Sequence, residues 1–346
     1  MTSCVAVKSG MRSLVRPRSM VIASIAAVGL IVSPAPAAAN EAGLGAVTAA
    51  WQLTPSIDLS LLLVGWIYAA GWWRAPGDAA HRRQSRHVSF FAGLSLIYLA
   101  LQSPLDVLSE HFFFVHQIQH LLLLDIVPIL LLLSAPQGRM IAGLPRRVRE
   151  HALAPLLRSG FVRGCFSVLS HPATATFLFC GMICVWNWPS IHDAALRDER
   201  VHYLMHVTIL VSGLLFWWRI LDRRAPRAAS FYAVRLVMLK ISMMAAAFVG
   251  GYLTMKQAVL YDVYDQLGLG LTAATDETLG GFILWIPGCI PAVIVGALLL
   301  RRWYQHDSGA VVSRAAAVQD TPACAPRQYA GSVAFSPPVS DPMTGS

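Results

Sequence analysis

Long apolar runs, separated by shorter polar stretches that hold most of the arginines, dominate the pattern of the chain. A helix needs about 20 apolar residues to cross a hydrocarbon core of ~30 Å, at ~1.5 Å per residue. The pattern predicts an all-α fold, a polytopic bundle of seven transmembrane helices within residues 58–305. The predicted spans are 58–73, 88–103, 112–134, 171–189, 202–221, 234–254 and 279–300.

The first 39 residues have the organisation of a secretory signal peptide. Basic residues precede an apolar core from Met20 to Val32, and the small residues Ala37 and Ala39 form an A-x-A cleavage pattern. We expect cleavage near Ala39, and an uncleaved first helix is the alternative. Either arrangement puts Asn40 outside, so residues 40–57 are predicted to form a short extracytoplasmic segment.

Arginines are distributed unequally between alternating connections. If Asn40 is outside, the connections predicted to be inside carry nearly all of them, whereas the outer ones carry only Arg197, Arg200 and Lys256. The positive-inside rule therefore supports an outer N-terminus and a cytoplasmic C-terminus. Residues 306–346 show no apolar period and are predicted to be a disordered cytoplasmic tail.

Composition narrows the class of protein further. The chain is 56% hydrophobic and 13% charged, which is typical of an integral membrane protein surrounded by lipid. The net charge of +9 resides largely in topology-setting arginines, so we expect no nucleic-acid partner. The six cysteines form no CxxC pair and no disulfide framework. The sequence has no P-loop and no G-x-S-x-G motif, and nothing in it points to nucleotide chemistry.

The most informative pattern is a set of histidines at the start of two predicted spans. The third, fifth and seventh spans run in the same direction, so their first turns meet at one membrane face. The third and fifth each carry two histidines four residues apart, which therefore share a helical face, and an acidic pair precedes the seventh. Neutral imidazole binds zinc, copper, iron and nickel. The predicted metal ligands are His116, His120, His202, His206 and Asp276.

Other residues near the same face are candidate ligands or supports for those ligands. They are His111, Gln119, Glu277 and Cys184. Asp276 has a second interpretation, because Thr275 and Asp276 are also suitable helix caps. Cys184 and Cys180 share one face of the fourth span, where they serve either as soft ligands for Cu(I) or as ordinary apolar packing.

Three blocks of the sequence resemble the CtaG family of cytochrome c oxidase assembly factors, the caa-type group. They are SPLDVLSEHFFFVHQIQHLLLLDIVPILLLLSAP, HDAALRDERVHYLMHVTILVSGLLFWWRILD and TDETLGGFILWIPG, within a similarity over roughly residues 50–305. The resemblance implies a seven-helix protein of the bacterial plasma membrane that is needed to make active haem–copper oxidase. It also implies copper handling, oxidase subunits as partners, and the five predicted ligands as the recurring polar positions.

Two departures from the family pattern concern the metal. Gln117 follows His116 where the family often has methionine, and Glu277 follows Asp276 where the family often has glutamine. A sulfur-assisted copper site is therefore less strongly indicated. We expect a non-enzymatic assembly factor that binds or delivers copper. The alternatives are a seven-helix zinc-dependent hydrolase, although the chain has no HExxH motif, a haem-binding membrane protein, and a scaffold that docks oxidase subunits.

Overall fold

The computed structural model describes residues 51–74, 80–222, 229–268 and 270–319, and all regular structure within these ranges is helical. The predicted all-α class is confirmed. The α-helices are α1 (Pro55–Arg74), α2 (Ala80–Gln102), α3 (Pro104–His111), α4 (Phe113–Leu121), α5 (Val127–Leu133), α6 (Gln137–Gly143), α7 (Arg146–Val148), α8 (Ala154–Arg158), α9 (Gly160–Leu169), α10 (Pro172–Trp186), α11 (Pro189–Arg197), α12 (Glu199–Leu221), α13 (Ala229–Met255) and α14 (Ala273–Gln319). π-helical turns occupy Leu122–Ile126 and Arg149–Leu153, and a 3₁₀ turn occupies Gln266–Gly268.

Five of these helical segments are long and apolar enough to cross a membrane: α1, α4 continuing into α5, α12, α13 and α14. Three helix pairs pass the same test together but bend at a short break, by 47° between α2 and α3, 65° between α8 and α9, and 75° between α10 and α11. The described residues thus contain five candidate spans, or up to eight if each bent pair is one span. By this composition the protein is a multi-span membrane protein, and each of the seven predicted spans overlaps one of these helices or pairs.

The structure differs from the sequence prediction in two places. Residues 146–169, predicted as part of an inner connection, are mostly helical and form one of the bent pairs. Their apolar positions alternate with arginines, so they do not form a continuous run. Helix α14 extends to Gln319, beyond the predicted boundary at residue 305, because its alanine-rich end favours helix. Residues up to Arg301 form one compact unit and those from Arg302 a second. The predicted signal peptide 1–39 and tail residues 320–346 lie outside the described residues.

Helix α12 lies at the centre of the described bundle and packs against α10, α5 and the first π-turn. Gly213 allows this close approach, because a Cβ at this position would lie 2.3 Å from the carbonyl oxygen of Leu124 in the π-turn. The Trp217 indole N–H, also in α12, donates to Asp125 Oδ1 over 2.9 Å. A buried carboxyl group in a membrane helix thus obtains a hydrogen-bond donor from the helix packed against it.

A second close helix contact joins α1 to α6. A Cβ on Gly143 would lie 1.8 Å from the carbonyl oxygen of Ile67, and one on Gly71 would lie 1.8 Å from that of Arg139. The two glycines therefore face each other across a backbone-to-backbone contact. Small residues at such positions are how membrane helices reach close van der Waals packing.

Replacing Gly143 by alanine is expected to destabilise the protein by about 3 kcal/mol, the upper end of the usual range for overpacking, because a clash with a backbone oxygen cannot be relieved by rotating a side chain. Thermal unfolding of the detergent-solubilised protein measures the effect. Gly138→Ala is the matched control, since it lies in the same helix with no atom within 4 Å of an added Cβ. Equal melting temperatures for the two variants would contradict the proposed helix contact.

Candidate metal centre

Three histidines direct their donor atoms to one buried point, where α4 meets the N-terminal half of α12. One ring nitrogen from each of His116, His120 and His206 lies within 4.8 Å of the others, and all three residues are buried. The Nε2 atoms of His116 and His120 are 2.8 Å apart. In a tetrahedral site with metal–nitrogen bonds of ~2.0–2.1 Å, the nitrogens are separated by about 3.3 Å, so small side-chain shifts suffice to hold an ion. Within the described part of the chain, this is the single group of three or more such ligands.

The backbone selects the ring tautomer of His116 that metal binding requires. His116 Nδ1 lies 3.3 Å from the carbonyl oxygen of Ser109, which can only accept a hydrogen bond, so Nδ1 carries the proton. The Nε2 lone pair of the neutral ring therefore faces His120. In metal-binding histidines, the N–H of the second ring nitrogen commonly donates a hydrogen bond to a carbonyl oxygen in this way. That hydrogen bond fixes the orientation of the ring and raises the basicity of the nitrogen that binds the metal.

His202 and His206 complete the ring cluster from α12. Their ring centroids are 4.4 Å apart, and the His202 ring stacks 5.4 Å from that of His116. Each Nε2 is buried and has no hydrogen-bond partner among the residues that the structure describes. A buried nitrogen without a partner is costly, and a metal ion bound by the group of three would give His206 a partner. His202 is not one of the three histidines whose donor atoms cluster, but its ring lies beside the rings of His116 and His206.

His192, which the sequence leaves outside the predicted ligand set, is buried beside His116 with ring centroids 5.1 Å apart. Its Nδ1 donates to the Trp186 carbonyl over 2.8 Å, so its Nε2 is an acceptor. The Tyr264 hydroxyl lies 2.6 Å from that Nε2 and donates to it. Burial raises the pKa of Tyr264 well above its ordinary value, which keeps the donating proton in place. Both nitrogens of His192 are therefore used, and this ring supports the centre from the side.

Asp276 holds the start of α4. Phe112 is extended and separates α3 from α4, and it has no side chain that can cap the new helix. The two Asp276 oxygens instead accept hydrogen bonds from the backbone N–H groups of Phe113 and Phe114, each over 2.9 Å. Asp276 therefore acts as a helix cap, which was the alternative interpretation of the sequence. The helix that it caps is α4 and not its own helix, α14. The structure thus places Asp276 one turn before His116, where its carboxylate positions the histidine helix and is not among the clustered donor atoms.

Glu277 anchors the loop that connects α13 to α14. Its carboxylate pairs with Lys256 and accepts from the backbone N–H groups of Leu260 and Tyr261 at 2.8–3.1 Å. Tyr261 stacks on Phe113 with ring centroids 4.5 Å apart. The loop is therefore fixed against the first turn of α4, beside the histidines.

The remaining predicted residues lie around the centre at greater distance. Gln119 donates to the Ala100 carbonyl and to Asp106, and His111 pairs with Asp265 over 2.8 Å. Cys184 is exposed on α10, so no sulfur ligand comes from that position. The sequence gives no signal for Ser109, Tyr261 or Tyr264 as parts of the site, because serine and tyrosine in connecting segments are common without such a role.

The arrangement can bind a metal ion through neutral nitrogen donors. All donor atoms are imidazole nitrogens in a buried pocket, and one of the rings has its tautomer fixed by the backbone. Such a set suits borderline metals, copper and zinc among them, and disfavours magnesium and calcium, which prefer oxygen. The structure therefore supports a metal-binding centre without identifying the metal.

Comparisons with known proteins match this chain to three mycobacterial proteins. An uncharacterized protein of Mycobacterium leprae (strain TN) is 26% identical over 271 residues, which cover 74% of this chain and 40% of that protein. Uncharacterized proteins of Mycobacterium bovis and Mycobacterium tuberculosis are 27% identical over 282 residues, or 75% of this chain and 40% of each protein. The chain thus spans about 40% of the length of these relatives. No solved structure matches it.

The family comparison is more specific. Residues 66–306 match the family model described as cytochrome c oxidase caa3 assembly factor, Caa3_CtaG. This range contains every helix that supplies the histidine centre and confirms the resemblance seen in the sequence. Since the match covers more than half of its length, the chain belongs to the cytochrome c oxidase caa3 assembly factor family.

Proposed function

We propose that this protein binds copper at the extracytoplasmic face of the bacterial plasma membrane and supplies it to a subunit of a haem–copper cytochrome c oxidase during assembly. The observation that carries the proposal is the convergence of His116, His120 and His206 on one buried point within a chain of this family. In this proposal the centre binds and transfers an ion, and the protein has no enzymatic activity of its own.

The proposed orientation follows from the arginine distribution. In the sequence, arginine-rich stretches follow the spans whose first halves carry the histidines, as the positive-inside rule requires for a cytoplasmic face. The histidine centre then lies on the extracytoplasmic side, with the C-terminus in the cytoplasm. A centre on that side is suited to a metal that arrives from outside the cytoplasm.

Copper is favoured over zinc by the surroundings of His120. A cavity of about 30 Å³, with room for one or two water molecules, lies next to this residue. Met243 and Cys289 line the same cavity, together with Asp125. Thioether and thiol sulfur are ligands that Cu(I) prefers. A soft metal ion that leaves the histidines would therefore find sulfur ligands, Met243 and Cys289, in the adjacent cavity.

The haem alternative has less support from the geometry. A haem held by histidines of two helices needs room for the porphyrin plane between their rings, whereas the ring centroids of His116 and His206 are 6.0 Å apart and those of His120 and His206 are 5.8 Å apart. Absorption spectroscopy of the purified protein addresses this alternative directly, since a bound haem would give a Soret band.

The experiment that tests the proposed function compares the oxidase from a strain lacking this protein with the oxidase from the complemented strain. We expect an oxidase that retains haem but has lost most of its copper and activity. Elemental analysis of the purified wild-type protein should find copper. Normal copper content and activity of the oxidase in the deletion strain would refute the proposal, and zinc with hydrolase activity in the purified protein would favour the zinc enzyme.

A further inference from the structure

Residues 146–169, which connect α6 to α10, form one of the three bent helical pairs. The first arm comprises residues 146–158, the second arm is α9, and the two meet at 65°. Ser159 makes the break, because its backbone leaves the helical conformation (ψ 127°). At ~1.5 Å per residue each arm is about 15–20 Å long, so neither arm alone crosses a hydrocarbon core of ~30 Å. The pair is therefore either a broken span or a segment on the membrane surface.

The charge of this segment argues against a span. It holds five arginines and one acidic residue, Glu150, which pairs with Arg146 at an exposed position. The other four arginines form no ion pair with an acidic side chain in the described part of the chain, and they are Arg147, Arg149, Arg158 and Arg163. Charged side chains are costly in hydrocarbon and are normally paired there. We therefore expect the segment to lie outside the hydrocarbon core.

The second arm is fixed at one end of the bundle. Phe166 is 3% exposed and packs against Leu215 of α12, and its ring centroid is 5.1 Å from that of Trp218. Leu215 and Trp218 belong to the last two turns of α12, whereas His202 and His206 belong to its first two. Because α12 is long enough to cross a membrane, α9 lies at the face opposite the histidine centre. Tryptophan is enriched at headgroup depth, which indicates the depth of α9 as well.

Helix α9 has an apolar face that the protein leaves uncovered. Phe161, Cys165 and Val168 recur at intervals of four and three residues, so they share one face of the helix. All three are exposed, Phe161 by 79% and Val168 by 63%. Arg163 is also exposed and lies about 160° around the helix from Phe161. An apolar stripe opposite a basic residue is typical of a helix that lies in the plane of the membrane interface.

Charge complementarity identifies what covers this face. Anionic phospholipids offer acyl chains to the apolar stripe and phosphate oxygens to the unpaired guanidinium groups, which bind phosphate through charge-assisted hydrogen bonds. A second copy of the chain is a poorer fit. A symmetric dimer through this face would bring the same arginines together from both copies, without the acidic residues needed to balance them.

We propose that residues 146–169 are an interfacial anchor, which lies on the cytoplasmic surface of the membrane and binds anionic phospholipids. The exposed face of α9 enters the acyl-chain boundary, and the four unpaired arginines contact lipid phosphates. Lipid binding by the anchor does not depend on the proposed metal centre. With the anchor on the surface, the candidate spans are the five single helices and the two other bent pairs.

A polarity-sensitive fluorophore on Cys165 tests the position of α9. The full-length protein, with every other cysteine replaced by serine, is labelled and reconstituted into vesicles of phosphatidylcholine and phosphatidylglycerol. We expect blue-shifted emission and quenching by a lipid-soluble quencher, because Cys165 lies on the apolar stripe. The matched control carries the label about 160° around the helix, at Ser167→Cys in a Cys165→Ser background, and should be quenched from water.

Two outcomes of this measurement would overturn the proposal. Quenching of both positions by the lipid-soluble quencher would show that α9 is part of a span or a re-entrant segment. Quenching of both positions from water alone would show that α9 does not touch the membrane.

The second measurement needs no label and keeps all cysteines. Native mass spectrometry of the detergent-solubilised protein, titrated with phosphatidylglycerol, gives its affinity for the lipid. We expect Arg158→Gln/Arg163→Gln to bind at least about tenfold more weakly than wild type, since each arginine near an anionic lipid contributes about fivefold. Arg197→Gln/Arg200→Gln is the matched control, because it removes the same charge from exposed positions at the histidine end of α12. Equal affinities of the two double variants, or equal binding of phosphatidylcholine and phosphatidylglycerol by wild type, would refute anionic-lipid binding by the anchor.

Discussion

Replacing His120 by alanine is expected to abolish stoichiometric metal binding. The substitution removes one of three clustered donors and leaves His116 Nε2 without the partner that now lies 2.8 Å away. Changes to residues that only support a metal ligand weaken binding by about 10- to 100-fold, so loss of a ligand should exceed about 100-fold. Titration of the purified variant with copper, measured by competition with a chelator of known affinity, gives the change.

Two comparisons make this result specific. His202→Ala should weaken binding less than His120→Ala, because His202 lies outside the group of three whose donor atoms are within 4.8 Å. His151→Ala is the control for loss of any histidine, since His151 is exposed and contacts only the Arg147 carbonyl among the described residues. Full metal binding by His120→Ala would contradict the assignment of the centre.

The second large effect concerns the anchor of the α13–α14 loop. Lys256→Met is expected to destabilise the protein by about 3–5 kcal/mol, the range seen when one member of a buried ion pair is removed. The side chains of Lys256 and Glu277 are 6% and 2% exposed, so Glu277 would remain as a buried charge with only backbone N–H donors. Thermal unfolding measures the loss, and hydrogen exchange should increase in the loop next to the histidines.

A second substitution shows whether the charge is the cause. Lys256→Met combined with Glu277→Gln should recover part of the stability, because no unpaired charge stays buried. Arg197→Ala is the matched control, since the arginine of its ion pair with Asp193 in α11 is exposed and its loss should cost about 1 kcal/mol or less. The assignment of Glu277 as the loop anchor would be wrong if the two single variants unfolded at the same temperature.

The helical class and the positions of the spans could be predicted because each depends on local sequence. A continuous apolar run can be stable in lipid only when its backbone is satisfied internally, so it must form a helix. This reasoning located α12 and α13 closely. It missed the helices within 146–169, because their apolar positions are interrupted by arginines.

The histidine pairs were also predictable, since a spacing of four residues places two side chains on one helical face whatever the rest of the fold. That argument applies only within one helix. To bring His116 and His206 together, the prediction also needed the third and fifth spans to run in the same direction, and the ring centroids of the two histidines are 6.0 Å apart in the structure. It could not distinguish His206, which belongs to the tight group, from His202, which lies one turn away.

The different positions of Asp276 and Glu277 show why acidic residues were harder to assign. Adjacent residues on a helix point in directions about 100° apart, so neighbours in sequence reach different parts of the fold. Asp276 reaches the first turn of α4 and Glu277 reaches the loop before its own helix. Neither destination can be inferred from the sequence, because each depends on which backbone N–H groups remain without partners after the helices pack.

Local sequence is enough to predict a bundle of membrane helices with histidine pairs near the start of two of them, and the motifs indicate the family. Which donors converge, which tautomer His116 adopts and the role of Asp276 in positioning a helix follow from the packing of the folded chain. Periodicity and hydropathy act over a few neighbouring residues, whereas the contact between His116 and Ser109, or between Phe113 and Asp276, depends on a break in one helix and the packing of another.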